Sequence, residues 1–116
     1  MKKILLVDDE EGIQMLYREE LEDDGYVVIS AFTGEEGLQK VKDESPDLVI
    51  LDIQMPGMNG IETLRQMKMT KPDLPVILCS AYNEYKQDLG AWASDDYVVK
   101  SSNISELKEA VRKHLS

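Results

Sequence analysis

Four short aliphatic runs in this chain end on residues that can do chemistry: Val7 is followed by Asp8-Asp9-Glu10, Leu51 by Asp52, Cys79 by Ser80, and Val99 by Lys100. If the runs are parallel strands of one sheet, their endings converge on one edge. Asp8, Asp9 and Asp52 then share a site with a hydroxyl and a single ammonium. Carboxylates drawn from distant positions repel, and such a group is tolerable if it binds a cation, shifts a pKa or splays into water. All-oxygen ligation favours a hard ion. A small carboxylate set with positions left for water and phosphate suits Mg2+ better than a closed calcium cage. Beside such an ion an aspartate can act as a nucleophile toward phosphorus, with the metal, Ser80 and Lys100 holding the charge on the phosphoryl oxygens. Polar loops alone would account for any one of these endings, but less well for the whole combination.

The elements that must position them are legible from hydrophobic patterning. Five runs, residues 4–7, 27–31, 48–51, 76–79 and 97–99, are mostly continuous rather than alternating, the pattern of strands buried on both faces of a parallel sheet. Helical spacing fills the intervals. The first helix carries Ile13, Leu16, Tyr17 and Leu21 and stops at Asp23-Asp24-Gly25. Thr33 and Glu36 form a capping box that opens a second, carrying Leu38 and Val41. A third follows Asn59-Gly60, turns Ile61 and Leu64 inward and ends before Pro72 and Pro75. Tyr85, Leu89 and Trp92 share a helical face, but Gly90 disfavours the helix by about 1 kcal/mol relative to Ala, so a short or distorted fourth helix is expected. The last opens at Asn103, with Glu106 three residues on, and runs through Ile104, Leu107, Val111 and Leu115. Strand and helix alternate five times, which predicts a doubly wound α/β sheet with helices on both faces. Ligands in such sheets bind outside the carboxyl ends of the strands, at the switch in strand order.

Composition narrows the function further. The 116 residues hold 13 Lys+Arg and 23 Asp+Glu, a formal charge of −10, and this length fits one domain. The charge argues against direct nucleic-acid binding, which needs clustered Lys and Arg, and against an anionic membrane surface. The apolar run after Lys2-Lys3 is too short for a signal-peptide core, and no run is long enough to span a membrane. Cys79 is the only cysteine, so no internal disulfide can form, and a reducing cytoplasm is expected. Most of the acids are assigned to a solvated surface.

At the level of motifs, the chain resembles the receiver domains of two-component response regulators. The resemblance rests on Ile4-Leu5-Leu6-Val7-Asp8-Asp9-Glu10, on the run from Asp47 through Asp52 to Met55-Pro56-Gly57-Met58-Asn59-Gly60, on Ser80-Ala81-Tyr82, and on Asp95-Asp96-Tyr97-Val98-Val99-Lys100. It implies a flavodoxin-like five-stranded sheet of order 2-1-3-4-5, with residues 1–116 forming one receiver domain and no output domain. It implies that Asp52 accepts a phosphoryl group from a histidine kinase or histidine phosphotransfer protein. Mg2+ would be held by Asp52, by Asp9 directly, by Asp8 through water, and by the backbone carbonyl of Gln54. Ser80 would hydrogen-bond the phosphoryl oxygen and Lys100 would pair with it. Tyr97 would couple the site to the surface of the fourth helix, fifth strand and fifth helix, where a downstream protein reads the state. Such a protein is no enzyme beyond catalysing its own phosphorylation and dephosphorylation. His114, in the last turn, reads as a structural or surface residue, so the donor is a partner.

Departures from the family pattern carry expectations of their own. Lys100 is followed by Ser101-Ser102 instead of proline. A cis bond before serine costs ~2.5–4 kcal/mol, so a trans Lys100–Ser101 bond or a rearranged turn is expected. Ser80 and Lys100 lie 20 positions apart, a shorter spacing than the family commonly shows, and Ala93-Ser94 replaces the usual Gly-Ala. Gln54 and Tyr82 flank the expected phosphoryl group, and the bulk of Tyr82 predicts a slow attack by water. Two other readings stay open: an aspartate-nucleophile phosphatase, which generally needs a second aspartate where Gln54 stands, and a docking module of the same fold that works without phosphorylation.

Overall fold

Strands without polar alternation have no face to give to water, and the computed structural model buries the central ones, at residues 4–7, 48–52 and 76–79, on both sides. It describes residues 1–52, 60–80, 95–99 and 104–115. β1 (Lys3–Val7), β2 (Val27–Ala31), β3 (Leu48–Asp52), β4 (Val76–Ser80) and β5 (Asp96–Val99) form one sheet of order β2-β1-β3-β4-β5. Every neighbouring pair is parallel. The helices are α1 (Glu11–Asp23), α2 (Gly34–Glu44), α3 (Gly60–Thr70) and α4 (Ser105–Leu115). The expected helix around Tyr85, Leu89 and Trp92, the Asn103 cap and the Lys100–Ser101 bond all lie outside the described residues, so the final helix is α4 of the described set.

Successive strand residues feed opposite cores, as the pleat requires. Leu5, Val7, Val49, Leu51, Val76 and Leu78 pack with Val41 of α2 and with Leu64 and Met67 of α3. Ile4, Leu6, Leu48, Ile50, Ile77 and Cys79 pack with Tyr17 and Leu21 of α1 and with Leu107, Ala110 and Val111 of α4. One face is therefore closed by α2 and α3 and the other by α1 and α4. Among the described residues no helix is long and apolar enough to cross a membrane.

Local details correct the sequence reading in two places. Leu16, expected to face inward, is 44% exposed, and the amide of Gln14 takes the buried position at 4%. Residues 14, 17 and 21 make one stripe, whereas position 16 lies roughly 100° around the helix from Tyr17. The cap at Thr33 holds, its Oγ1 accepting from Glu36 N at 3.0 Å. The return bond, however, runs from Phe32 N to Glu36 Oε1 at 2.6 Å, so the box closes one residue earlier than the motif implies.

Asp95 pins the entry to β5. Its Oδ2 accepts from Val76 N at 2.8 Å and from Lys68 Nζ at 2.7 Å, and its own N–H donates to Val76 O at 2.9 Å. The same ammonium donates to Leu74 O at 2.8 Å. The end of α3 and the starts of β4 and β5 thus share one clasp, which sets the register Leu78↔Tyr97 and Ser80↔Val99.

Gly37 governs how closely α2 approaches β1: a Cβ there would stand 2.9 Å from Val7 Cγ2 and 3.3 Å from Met67 Cε. Val7 is β-branched and fully buried, so it has little room to yield. Gly37→Ala gains about 1 kcal/mol of helix propensity, yet it is expected to lower stability, overpacking of this kind costing about 1–3 kcal/mol. In a Val7→Ala background the same change should be better tolerated. Urea unfolding of the four proteins measures that coupling, and additive effects would contradict it.

Candidate functional site

The chain passes from β1 to the edge strand β2 and then crosses to β3 on the other side, so strand order reverses between β1 and β3. Their register, Val7↔Leu51, puts the next residues, Asp8 and Asp52, side by side at the carboxyl edge. Asp52 still belongs to β3 and pairs with Cys79. Asp8 lies just past β1, but its N–H continues the ladder by donating to Ala31 O at 3.0 Å. Its Oδ1 then accepts from Glu10 N at 2.9 Å, an Asx-type turn that swings the chain into α1.

One carboxylate oxygen from each of Asp8, Asp9 and Asp52 can be chosen so that all lie within 4.8 Å of one another. Asp8 is 2% and Asp52 3% exposed, whereas Asp9 faces solvent. Two buried carboxylates with a third at the mouth form an all-oxygen donor set open on one side. That chemistry fits Mg2+, a hard cation that retains several waters and takes one or two carboxylates from the protein. Among the described residues the cluster holds only carboxylate oxygens, a donor set poorly matched to structural zinc.

Beneath the carboxylates, Tyr17 is 2% exposed. Its phenol is pushed well above the ordinary tyrosine value, first by burial, then by the Cys79 thiol to which it is hydrogen-bonded, and then by the negative charges of Asp8 and Asp52. It stays neutral within the core that packs on Leu6, Ile50 and Cys79. Tyr97, half-buried in β5, packs against the core that contains Leu78 and Leu51. Ser80 closes β4 one residue beyond Cys79, the partner of Asp52, so the backbone brings it to the same edge. Its side-chain placement, Gln54, Tyr82 and Lys100 lie outside the described residues. His114 Nε2 is 3.4 Å from Asp96 Oδ2. Asp96 begins β5, two strands from Asp52 and two residues short of its level in the sheet, so the histidine pairs apart from the carboxylates.

Sequence reasoning missed Gln14. Its Nε2 donates to Leu6 O at 3.1 Å, Asp8 O at 3.0 Å and Ala31 O at 2.9 Å, so it reaches the turn that carries Asp8 and Asp9. The available signal was a polar residue on the buried stripe of α1, three and seven positions before Tyr17 and Leu21.

A doubly wound parallel sheet with clustered carboxylates at its switch point defines a flavodoxin-like module with a cation-ready acidic site. The chain belongs to the response regulator receiver domain family, whose family model matches residues 4–112. It is 40% identical over 119 residues to sporulation initiation phosphotransferase F of Bacillus subtilis, covering 98% of this chain and 94% of that protein. It is 41% identical to the B. subtilis alkaline phosphatase synthesis transcriptional regulatory protein PhoP, covering 96% of this chain but 47% of PhoP, so it spans about half of that relative. Among solved structures, the response regulator TrrA of Thermotoga maritima in complex with Mg2+-BeF superposes with a TM-score of 0.97 at 50% identity, covering 99% of this chain and 100% of that one. TrrA in complex with the histidine kinase ThkA matches with a TM-score of 0.94 at 50% identity over the full length of both chains.

The Tyr17 environment yields a pH prediction. Its folded-state pKa lies above its unfolded value of 10.0. The associated stability is therefore complete below about pH 10 and is lost as the pH rises further, because the unfolded phenol ionises first. Tyr17→Phe should flatten that alkaline decline, measured as the urea midpoint on either side of about pH 10. An equally steep decline in the variant would count against it.

Proposed function

We propose that this chain is a phosphoryl-accepting signalling switch of a two-component system, with Asp52 as the acceptor and Mg2+ as the required cation. The observation that carries this reading is the convergence of Asp8, Asp9 and Asp52 oxygens within 4.8 Å at the switch point of the sheet. The relatives support it: one is named a phosphotransferase, and TrrA is seen both with Mg2+-BeF and with a histidine kinase.

In this reading an Asp52 carboxylate oxygen attacks the phosphorus of a partner's phosphohistidine. The P–N bond breaks as the acyl phosphate forms, and the histidine recovers its nitrogen lone pair. Asp52 and Asp9 would hold the metal directly, Asp8 through water, and the Gln54 backbone carbonyl would complete the set; when bound, Mg2+ would supply positive charge to the transferring oxygens. Ser80 hydrogen-bonds a phosphoryl oxygen, and Lys100 pairs with another. Tyr97, packed beside Leu78 in the next strand, carries the change in charge to the face formed by β5 and its flanking helices, where a downstream protein reads it. The donor is a histidine kinase or a histidine phosphotransfer protein, since the chain's own His114 stands beside Asp96, away from the site. The chain turns over no outside substrate, and at a charge of −10 it acts on a protein rather than on nucleic acid or lipid. Cys79, buried and the only cysteine of the sequence, accords with a cytoplasmic setting.

Incubation with acetyl phosphate and Mg2+ should add one phosphoryl group by intact mass, and Asp52→Asn should abolish the gain. No gain from acetyl phosphate or a cognate kinase would favour a docking module instead, and steady release of phosphate from small esters would favour a phosphatase. The acyl phosphate should persist for minutes or longer, and replacing Tyr82 with a small residue should hasten its loss. An unchanged decay rate would remove Tyr82 from the account.

A further inference from the structure

Gln14 presents an imbalance that its place in a helix does not explain. A primary amide has two N–H hydrogens, yet Nε2 lies within hydrogen-bond distance of three carbonyl oxygens, those of Leu6, Asp8 and Ala31, at 3.1, 3.0 and 2.9 Å. The carbonyls fix the orientation of the amide, because the flipped rotamer would set its own oxygen against all three. The consequence is that Oε1 is buried with no hydrogen-bond partner among the described residues. A buried acceptor left unpaired in a side chain only 4% exposed works against stability and calls for a compensating role.

The three acceptors identify that role. Leu6 O lies one residue before the end of β1, and Ala31 O ends β2, where it already accepts from Asp8 N at 3.0 Å. Asp8 is therefore clamped on both sides: its N–H is held by Ala31, and its carbonyl by Gln14. The Asp8 carbonyl belongs to the peptide plane shared with Asp9. Holding that plane constrains the directions in which both carboxylates leave the chain, and the Asx-type bond from Glu10 N to Asp8 Oδ1 completes the constraint. We infer that Gln14 is a positioning residue for the cation site: it touches neither metal nor phosphoryl group, and it aligns Asp8 and Asp9 by anchoring the peptide between them. This rests on the reading of the three carboxylates as an Mg2+ site.

Groups that orient a metal's ligands commonly change affinity by about 10–100-fold when removed. The experiment is an Mg2+ titration of the full chain, followed through the backbone amide resonance of Glu10, alongside a thermal melt. Gln14→Met keeps the length of the side chain and removes the donors, and it should weaken Mg2+ binding by about tenfold. Gln14→Lys restores donors to the same carbonyls and should recover most of the affinity. If Gln14→Met lowers the melting temperature but leaves the Mg2+ midpoint unchanged, the residue is structural only and the inference fails. If Gln14→Met does not fold, the unchanged chain supplies the test. Its Gln14 side-chain amide protons must exchange slowly with solvent and shift with the same Mg2+ midpoint as Glu10, and fast exchange or no response overturns the proposal. Absence of Mg2+ binding by the unchanged chain would instead overturn the cation-site reading itself, and with it this inference.

Discussion

Asp8 and Asp52 stand almost completely out of water with the charge of Asp9 at their mouth, and like charges this close push apart unless the backbone beneath them is rigid. The parallel pairing of β1 with β3 provides that rigidity. Val7↔Leu51 is the last full pair before the acids, and both strands are buried on both faces. Moving either strand by one residue would turn its whole apolar set to the wrong core. The strain at the acidic edge is thus resisted by two hydrophobic cores.

Those cores also divide the molecule's labour. The face closed by α1 and α4 supports the site from below through Tyr17 and Cys79, both 2% exposed. The face closed by α2 and α3 holds the opposite sides of the same strands through Val7, Leu51 and Leu78, and Tyr97 packs against it from β5. Asp52 is one strand from Cys79 and two from Val98, within a sheet whose last strand is anchored at its start by the Lys68–Asp95 clasp. Anchoring β5 at its entry leaves its other end, toward Lys100, as the end nearest the acidic edge.

Helix surfaces show where tertiary constraint overrides local preference. α1 exposes Met15 and Leu16 and buries Gln14, the reverse of what hydrophobicity alone would choose. The exchange makes physical sense at the end of β1. There three carbonyls turn toward one point, and an aliphatic side chain would leave them without the amide donor.

The sequence by itself determined the five strands, nearly to the residue, because short β-branched and aliphatic runs bounded by polar turns and alternating with helical spacing fit strands of a parallel sheet. It also determined that Asp8, Asp9 and Asp52 end strands, and that Thr33 caps a helix, since capping depends on a hydroxyl and a neighbouring amide. Periodicity could not say how near the carboxylates would come on the edge they share. That distance depends on strand order and register, which are set by contacts between residues far apart in the chain. Nor could it find Gln14, whose three carbonyl partners, at positions 6, 8 and 31, meet only once β1, β2 and α1 are packed together. Chemical type and local spacing are properties of the chain; the convergence of backbone groups on one point is a property of the folded sheet, because only long-range pairing fixes where separate strands end.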